Sequence, residues 1–495
     1  MSEPFLGLDV GTQGTKALLV DLDAGRVVAR ASRSYGLIEG LAPGAAEQHP
    51  DTWWEALRDA VRELGARRVA GIGVSGQQHG FVPLDAGGQV IRPAKLWCDT
   101  ETAPEARELS GSYGRPVPTG FTASKILWLK RHEPERFARL AAVLLPHDYV
   151  NYRLTGRLFT EAGDASGTGF FDPRKRCFVP AEAAAIDPGL PAKLPPLIQP
   201  GEPGGELTPE AAAELGLEPG VPVAAGGGDN MMSAIGSGAV RPGVCVLSLG
   251  TSGTVFAYSD EPVVDPEGLI APFCDSTGGW LPLLCVMNAT GVTAEVQAAF
   301  DNLSLDELTD AAAAEPPGCG GLLFLPYLAG ERVPDLPEAT GTLLGLRPGG
   351  LRPGRLFRAA IEGTSLNLGW GVERLRGLGV PVESVSLVGG GSANPLWRRV
   401  LAGVLGVPVQ RLTEPESAAL GAALQAAWTA RRGAGEDVSI RELVEPFVEP
   451  EGDPLEPEPE AVATYRALGE RFREAVRRQY GARNLSPLLA ERQEW

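Results

Sequence analysis

The sequence predicts an α/β protein built from two similar halves, and three observations carry that prediction. First, Gly11-Thr12-Gln13-Gly14-Thr15 recurs as Gly250-Thr251-Ser252-Gly253-Thr254, 239 residues later. Second, both copies sit between short apolar runs, residues 5–10 and 17–20 around the first and residues 244–249 and 255–258 around the second. Third, the rest of each half alternates helical and strand periodicity, with strands that end in glycine-rich turns, where α/β folds gather their ligands. Strand, Gly/Thr turn, strand is a β-hairpin whose tight turn needs glycine. One such hairpin is a weak signal, but two in register at half-chain spacing indicate a duplicated domain.

In chain order, the first hairpin closes at Asp21, the counterpart of Asp260 in the second. Asp51 is placed to cap a helix whose apolar residues Trp53, Trp54, Leu57, Val61 and Leu64 follow helical spacing. A strand over residues 69–74 leads into Ser75-Gly76-Gln77-Gln78-His79-Gly80, and another over residues 221–225 leads into Gly226-Gly227-Gly228-Asp229-Asn230. The domain boundary is expected near 235–245, at Gly236-Ser237-Gly238 and Pro242-Gly243, giving domains over 1–240 and 241–436. In the second, a strand over residues 385–388 opens into Gly389-Gly390-Gly391-Ser392. The remainder, 437–495, holds a Pro/Glu-rich connector and an amphipathic helix through Tyr465, Leu468, Phe472, Val476 and Tyr480 that should pack back onto a domain.

Composition narrows the function. A formal net charge of −18 with no basic block speaks against nucleic acid or an anionic membrane as the main partner, since both reward clustered Lys and Arg. No run reaches the roughly 20 apolar residues of a membrane helix. The N-terminus passes from Met1-Ser2-Glu3-Pro4 into a strand with no basic stretch or cleavage-like site, so no signal peptide is expected. The six cysteines are scattered without a C-x-x-C pair, as in a reduced, cytoplasmic protein.

The glycine hairpins suit phosphate, because successive N–H groups point into one concavity while hydroxyls donate from its rim. Neither is a Walker A loop, since no G-x-x-x-x-G-K-[ST] occurs. One from each half could clamp the phosphates of ATP across an interdomain cleft; taken singly, each could be a plain tight turn. Asp9 aligns with Ser248, so only the first strand ends in an acid, which suits a single Mg²⁺ reached directly or through water unless Asp9 merely closes the turn. Asp229 reads equally as the N-cap of the helix that follows it and as the base for an acceptor hydroxyl in phosphoryl transfer. Gln77, Gln78 and His79 both donate and accept, matching hydroxyl recognition, with a solvated turn as the plainer alternative. His79 has no acidic or Cys/His companion at ligand spacing and is not read as a metal ligand.

Five stretches together resemble the FGGY carbohydrate kinases: GLDVGTQGTK (residues 7–16), GQQHG (76–80), GFTASKILW (120–128), GGGDN (226–230) and FLPYLAGER (324–332). Their order and spacing fit from about residue 5 to about residue 430. The resemblance implies two RNase H-like domains, the actin/hexokinase-like ATPase arrangement, with the active site in the cleft between them. It implies ATP-dependent phosphorylation of a ketopentose, D-xylulose foremost, with ATP and Mg²⁺, and it admits a homodimer. By similarity Asp229 is the catalytic base and Asp9 the acid near the phosphates and Mg²⁺. Gln78, His79, Asp99 and Asn230 fall on the sugar side. Nucleotide contacts are expected from Gly11, Thr12, Gln13, Thr15 and Lys16, from Gly250, Thr251 and Ser252, and from Gly389, Gly390, Gly391 and Asn394. Many members that act on xylulose carry Met at the position of Gln78 and Asn at that of Cys98. These departures loosen the sugar assignment and leave D-ribulose, L-xylulose or a heptulose as alternatives. Glycerol-phosphorylating members carry an Arg-Glu pair where this chain has Gln78-His79, which speaks against glycerol. An actin- or Hsp70-like ATPase without a sugar is the reading from a different class, and it has no evident use for Gly-Asp-Asn or the Gln78-His79 turn.

Overall fold

The computed structural model describes residues 3–300 and 302–481; Met1 and Ser2, at the N-terminus read above as lacking a signal peptide, lie outside them. Strand β1 (Phe5–Val10) is buried along its whole length. Leu6, Leu8 and Val10 enter one core and Phe5 another, as the two-residue period of a strand requires. It pairs antiparallel with β2 (Gly14–Asp21), which pairs likewise with β3 (Arg26–Ser34). On its other side β1 runs parallel to β4 (Gly71–Gly76). Strands β5 (Pro203–Glu206) and β6 (Pro222–Ala224) complete the order β5-β6-β4-β1-β2-β3, and the short β7 (Gly227–Gly228) also pairs with β4.

The second half repeats this plan. Strand β8 (Gly243–Leu249) pairs antiparallel with β9 (Gly253–Ala257) and parallel with β12 (Val382–Val388). With β10 (Ala271–Cys274), β11 (Trp280–Val286) and β13 (Val409–Arg411), the order is β10-β11-β9-β8-β12-β13. Each half therefore joins an antiparallel three-strand meander to two parallel strands, with the repeated glycine hairpin at its centre.

Helix α1 (Pro50–Leu64) covers the first sheet with Trp53, Trp54, Leu57, Ala60 and Val61. Its cap is His49, not Asp51; Pro50 occupies the first helical position and Asp51 the first turn, where its charge suits the helix N-terminus. Helix α4 (Pro353–Gly377) is buried against the second sheet. Helix α6 (Pro459–Tyr480) inserts Tyr465, Leu468, Phe472 and Val476 into the second core, with Tyr480 packed at its edge. No helix of the described residues is long and apolar enough to cross a membrane.

One helix crosses between the halves. Helix α5 (Ser417–Gly433) follows the second sheet in sequence but lies on β1 and β4 of the first. A Cβ on Gly7 would stand 1.9 Å from the Ala419 carbonyl oxygen, and one on Gly73 would stand 1.9 Å from that of Ala422. Against helix α3 (Asp229–Gly236) the same closeness holds: a Cβ on Gly421 would stand 1.8 Å from the Met232 oxygen. Backbone meets backbone here because glycine and alanine leave nothing in between.

Candidate active site

Both glycine hairpins close on the N–H of their first glycine, Gly11 N donating to Gly14 O and Gly250 N to Ser252 O, each at 3.0 Å, the second turn being one residue tighter. In the first, Thr12 Oγ1 donates to Gln77 Oε1 (2.9 Å) and accepts from Trp97 Nε1 (3.0 Å), while Gln13 stands exposed. Thr15 is fully buried with its hydroxyl on Tyr35, so it supports the hairpin from behind. Lys16 pairs with Glu416, the residue before α5. Around the second hairpin, Thr290 N donates to Gly250 O (2.8 Å) and Ala289 N to Thr251 O (3.0 Å). The Gly389–Gly391 turn lies against the same hairpin, close enough that a Cβ on Gly389 would stand 2.8 Å from the Leu249 oxygen. Asn394 is beside this turn, but its side chain caps the helix Pro395–Leu405, accepting from Leu396 N and Trp397 N.

The two acids end neighbouring segments of the first half. Asp9 is almost fully buried and accepts from Ser75 Oγ at 2.7 Å. Burial raises its carboxyl above the ordinary range, with Lys16 and Ser75 pulling the other way. Asp229 is the first residue of α3, whose cap position belongs to Gly228, so the helix-cap reading fails. Its carboxylate accepts from Asn230, at 2.9 Å from the backbone N and 3.1 Å from Nδ2. Burial, then the charges of Asp9 and Asp164, push its pKa up to about 8. Glycine precedes it for want of space: a Cβ on Gly228 would stand 2.6 Å from Gln78 Cγ.

On the other side of Asp229, Asn230 Nδ2 donates to Gln78 Oε1 (2.8 Å). Thr254, from the second half, donates to Asn230 Oδ1 (3.3 Å). Gln78, Asp229 and Asn230 thus form one hydrogen-bonded group that reaches across to the other half. Gln78 Nε2 and His79 Nδ1 are buried without a partner among the described residues. The His79 ring packs, tilted, against Phe121 (4.8 Å) and Phe273 (5.7 Å), and burial holds its pKa well below the ordinary value, so the imidazole is neutral.

Asp99, expected on the sugar side, makes its hydrogen bonds within a buried charge cluster. It is fully buried, and its Oδ2 accepts from Lys95 Nζ and Ala46 N, both at 3.0 Å. Glu47 and Glu101 also grip Lys95, so this acidic cluster encloses an ammonium rather than a metal site. Lys95→Met should cost about 3–5 kcal/mol in urea unfolding, because it strands the fully buried Asp99 carboxylate.

Two side chains escaped sequence reasoning. Asp164 lies behind the Gln78-His79 turn with Nδ1 of His147 at 2.6 Å, and burial pushes its pKa up to about 8 against the Gln78 side chain and the His79 N–H that face it. Lys125, within the GFTASKILW stretch, is fully buried, and burial lowers its pKa to about 7. A lysine set directly before the apolar run Ile126-Leu127-Trp128-Leu129 was the available signal.

The N-terminal domain of the FGGY family of carbohydrate kinases matches residues 5–236, and its C-terminal domain matches residues 245–430. The chain belongs to the FGGY family of carbohydrate kinases. This FGGY kinase is 39% identical to the xylulose kinase of Haemophilus influenzae over 491 residues, covering 94% of this chain and 98% of that one. It is 41% identical to the xylulose kinase of Streptomyces coelicolor over 437 residues, covering 85% and 87% of the two chains. Among solved structures, the xylulose kinase from Rhodospirillum rubrum superposes with a TM-score of 0.86 at 31% identity, covering 96% of this chain and 98% of that one. A glycerol kinase from Plasmodium falciparum shares the fold, with a TM-score of 0.83 at 18% identity over 95% and 98% of the two chains. The FGGY kinase has the two-domain actin/hexokinase-like fold and is an ATP-dependent sugar kinase.

Proposed function

We propose that this FGGY kinase transfers the γ-phosphoryl group of ATP to D-xylulose, yielding D-xylulose 5-phosphate, with Asp229 as base. Gln78, His79 and Asn230 hold the sugar, the glycine hairpins and the Gly389–Gly391 turn hold the nucleotide, and Asp99 has a supporting role only. The observation that carries this reading is the group in which Asp229, Asn230 and Gln78 are hydrogen-bonded to one another where Thr254 of the second half meets the first. Amide and carboxylate groups brought together in this way can donate to and accept from sugar hydroxyls. The similarity to xylulose kinases over nearly the full chain selects the sugar. Six free cysteines suit a reducing, cytoplasmic setting.

In the transfer, the acceptor hydroxyl oxygen bonds to the γ-phosphorus as the bond to the β,γ-bridging oxygen breaks. The hydroxyl proton passes to Asp229, and ADP departs with the electron pair. Mg²⁺ fits at Asp9, a buried carboxylate whose charge already bears on a second acid, and one carboxylate plus phosphates is its usual ligand set. When bound there, it supplies neutralising charge to the phosphates.

Asp229 accepts a proton only as a carboxylate. With its pKa raised to about 8, kcat/KM for the sugar should climb with pH through neutrality and level off above about 8. A profile flat from about pH 6 to 9 would contradict the assignment. The sugar itself is tested by ADP release with D-xylulose, D-ribulose, L-xylulose, a heptulose, gluconate and glycerol. D-xylulose should give the highest kcat/KM. A higher value with another member of the panel replaces the substrate, and equal hydrolysis without any sugar removes the kinase reading.

A further inference from the structure

We propose that Lys125 is a positioning residue for sugar recognition: its ammonium ties the carbonyl of His79 to the start of helix α2 (Thr122–His132) and so fixes the imidazole that follows Gln78. The inference rests on the reading of His79 as a sugar contact and extends it to the group that holds His79 in place.

His79 has φ +63°, in the left-handed region that a side chain with a Cβ seldom adopts. Such a conformation persists only where its surroundings enforce it, and such residues cluster at ligand sites. Two donors converge on the His79 carbonyl: Lys125 Nζ at 3.1 Å and Thr122 Oγ1 at 3.2 Å. Lys125 also donates to the carbonyls of Gly120 (2.5 Å) and Phe121 (3.1 Å). One ammonium thus bridges the strained turn and the segment that enters α2.

The same segment supplies the Phe121 ring, which packs tilted against His79. Across the turn, a Cβ on Gly167 would come within 2.0 Å of His79 Nδ1, so the imidazole has only the room that glycine leaves. The bond network, the tilted ring contact and the close approach all restrict one ring.

The bonding of Lys125 is unusual for a buried cation. Its side chain is fully buried, and among the described residues all its hydrogen bonds go to main-chain carbonyls. The nearby acid, Asp99, already receives Lys95. Lys95 and Arg332 add like charge. Burying a cation this way is costly, and an apolar side chain of similar length would fill the space without that cost. What the apolar residue could not do is fasten three carbonyls, one of them belonging to His79.

The test compares Lys125→Met, Lys125→Arg, His79→Ala and the Lys125→Met/His79→Ala double variant in the full chain, reading KM and kcat for D-xylulose, KM for ATP, and Tm. Lys125→Met should raise the sugar KM by about tenfold or more while kcat and the ATP KM stay within about twofold, and Lys125→Arg should recover part of the loss. The double variant should be no worse than His79→Ala, because both changes remove one contact. An unchanged sugar KM in folded Lys125→Met, a parallel rise in the ATP KM, or a fully additive double variant overturns the inference. Should Lys125→Met fail to fold, Thr122→Val removes the second donor to the same carbonyl, and an unchanged sugar KM there overturns it equally. If His79→Ala itself leaves the sugar KM unchanged, the reading of His79 as a sugar contact is what fails.

Discussion

Asp229→Asn should lower kcat by about 100- to 10,000-fold while leaving ATP binding intact. The substitution keeps the shape of the side chain and an oxygen that can still accept from the Asn230 N–H. It removes the one property the reaction needs, a group that takes up the hydroxyl proton. The fold should tolerate it. Asp229 has its pKa raised from an ordinary 3.8 to about 8, so the folded chain binds a proton that the unfolded chain releases above about pH 4. The charged form therefore weakens the fold progressively as pH rises toward 8, and a neutral amide escapes that loss. Equal or higher Tm, unaltered binding of a non-hydrolysable ATP analogue by calorimetry and a collapsed kcat form the expected set. Wild-type turnover in this variant would remove Asp229 as the base.

Gly421→Val should destabilise the protein by more than about 3 kcal/mol, beyond the usual range for overpacking. Overpacked side chains usually find relief by changing rotamer. Here the new Cβ would lie 1.8 Å from a carbonyl oxygen of α3, so a whole helix must move instead. The displaced helix carries Asp229 at its first position, so activity should fall with stability. Gly433→Ala is the matched control. It sits at the exposed end of the same helix, where an added Cβ meets nothing within 4 Å, and should be neutral or slightly stabilising. Urea unfolding of the two variants reads the contrast directly, and similar losses in both would rule out the close backbone approach as the cause.

The features legible in the sequence were those written locally. The duplicated hairpin is strand, turn and strand within about 17 residues, a span over which periodicity and glycine placement speak for themselves. Its two copies became the centres of two sheets with the same strand plan. The cluster of Gln78, Asp229 and Asn230 was legible because each lies at a strand end, where the topology gathers chain turns.

What stayed hidden depends on neighbours distant in sequence. Asp99 looks like any acid near a tryptophan until Lys95, Glu47 and Glu101 are seen around it. Asn394 is a helix cap as well as a neighbour of the glycine turn, and a single amide gives no sign of which demand prevails. The cap of α1 was assigned to Asp51 on propensity, whereas Pro50 fixed the first helical residue and moved the cap to His49. Nothing in residues 417–433 says that the helix leaves its own half. Glycine at positions 7 and 73 was the only trace, and it becomes readable once the partner is known.

That crossing helix also sets the order in which the protein can finish folding. Helix α5 begins at residue 417, about 190 residues after β7 ends, so at about 5–20 residues per second a ribosome emits the first sheet roughly 10–40 s before the helix that covers it. During that interval Phe5, Leu18 and Val20 lack the partner against which they are finally buried. The chain looks like two repeated domains in tandem, yet its first domain is completed only when nearly the whole polypeptide has been made. The nascent chain therefore carries an open apolar face through most of its own synthesis, the kind of surface that chaperones bind.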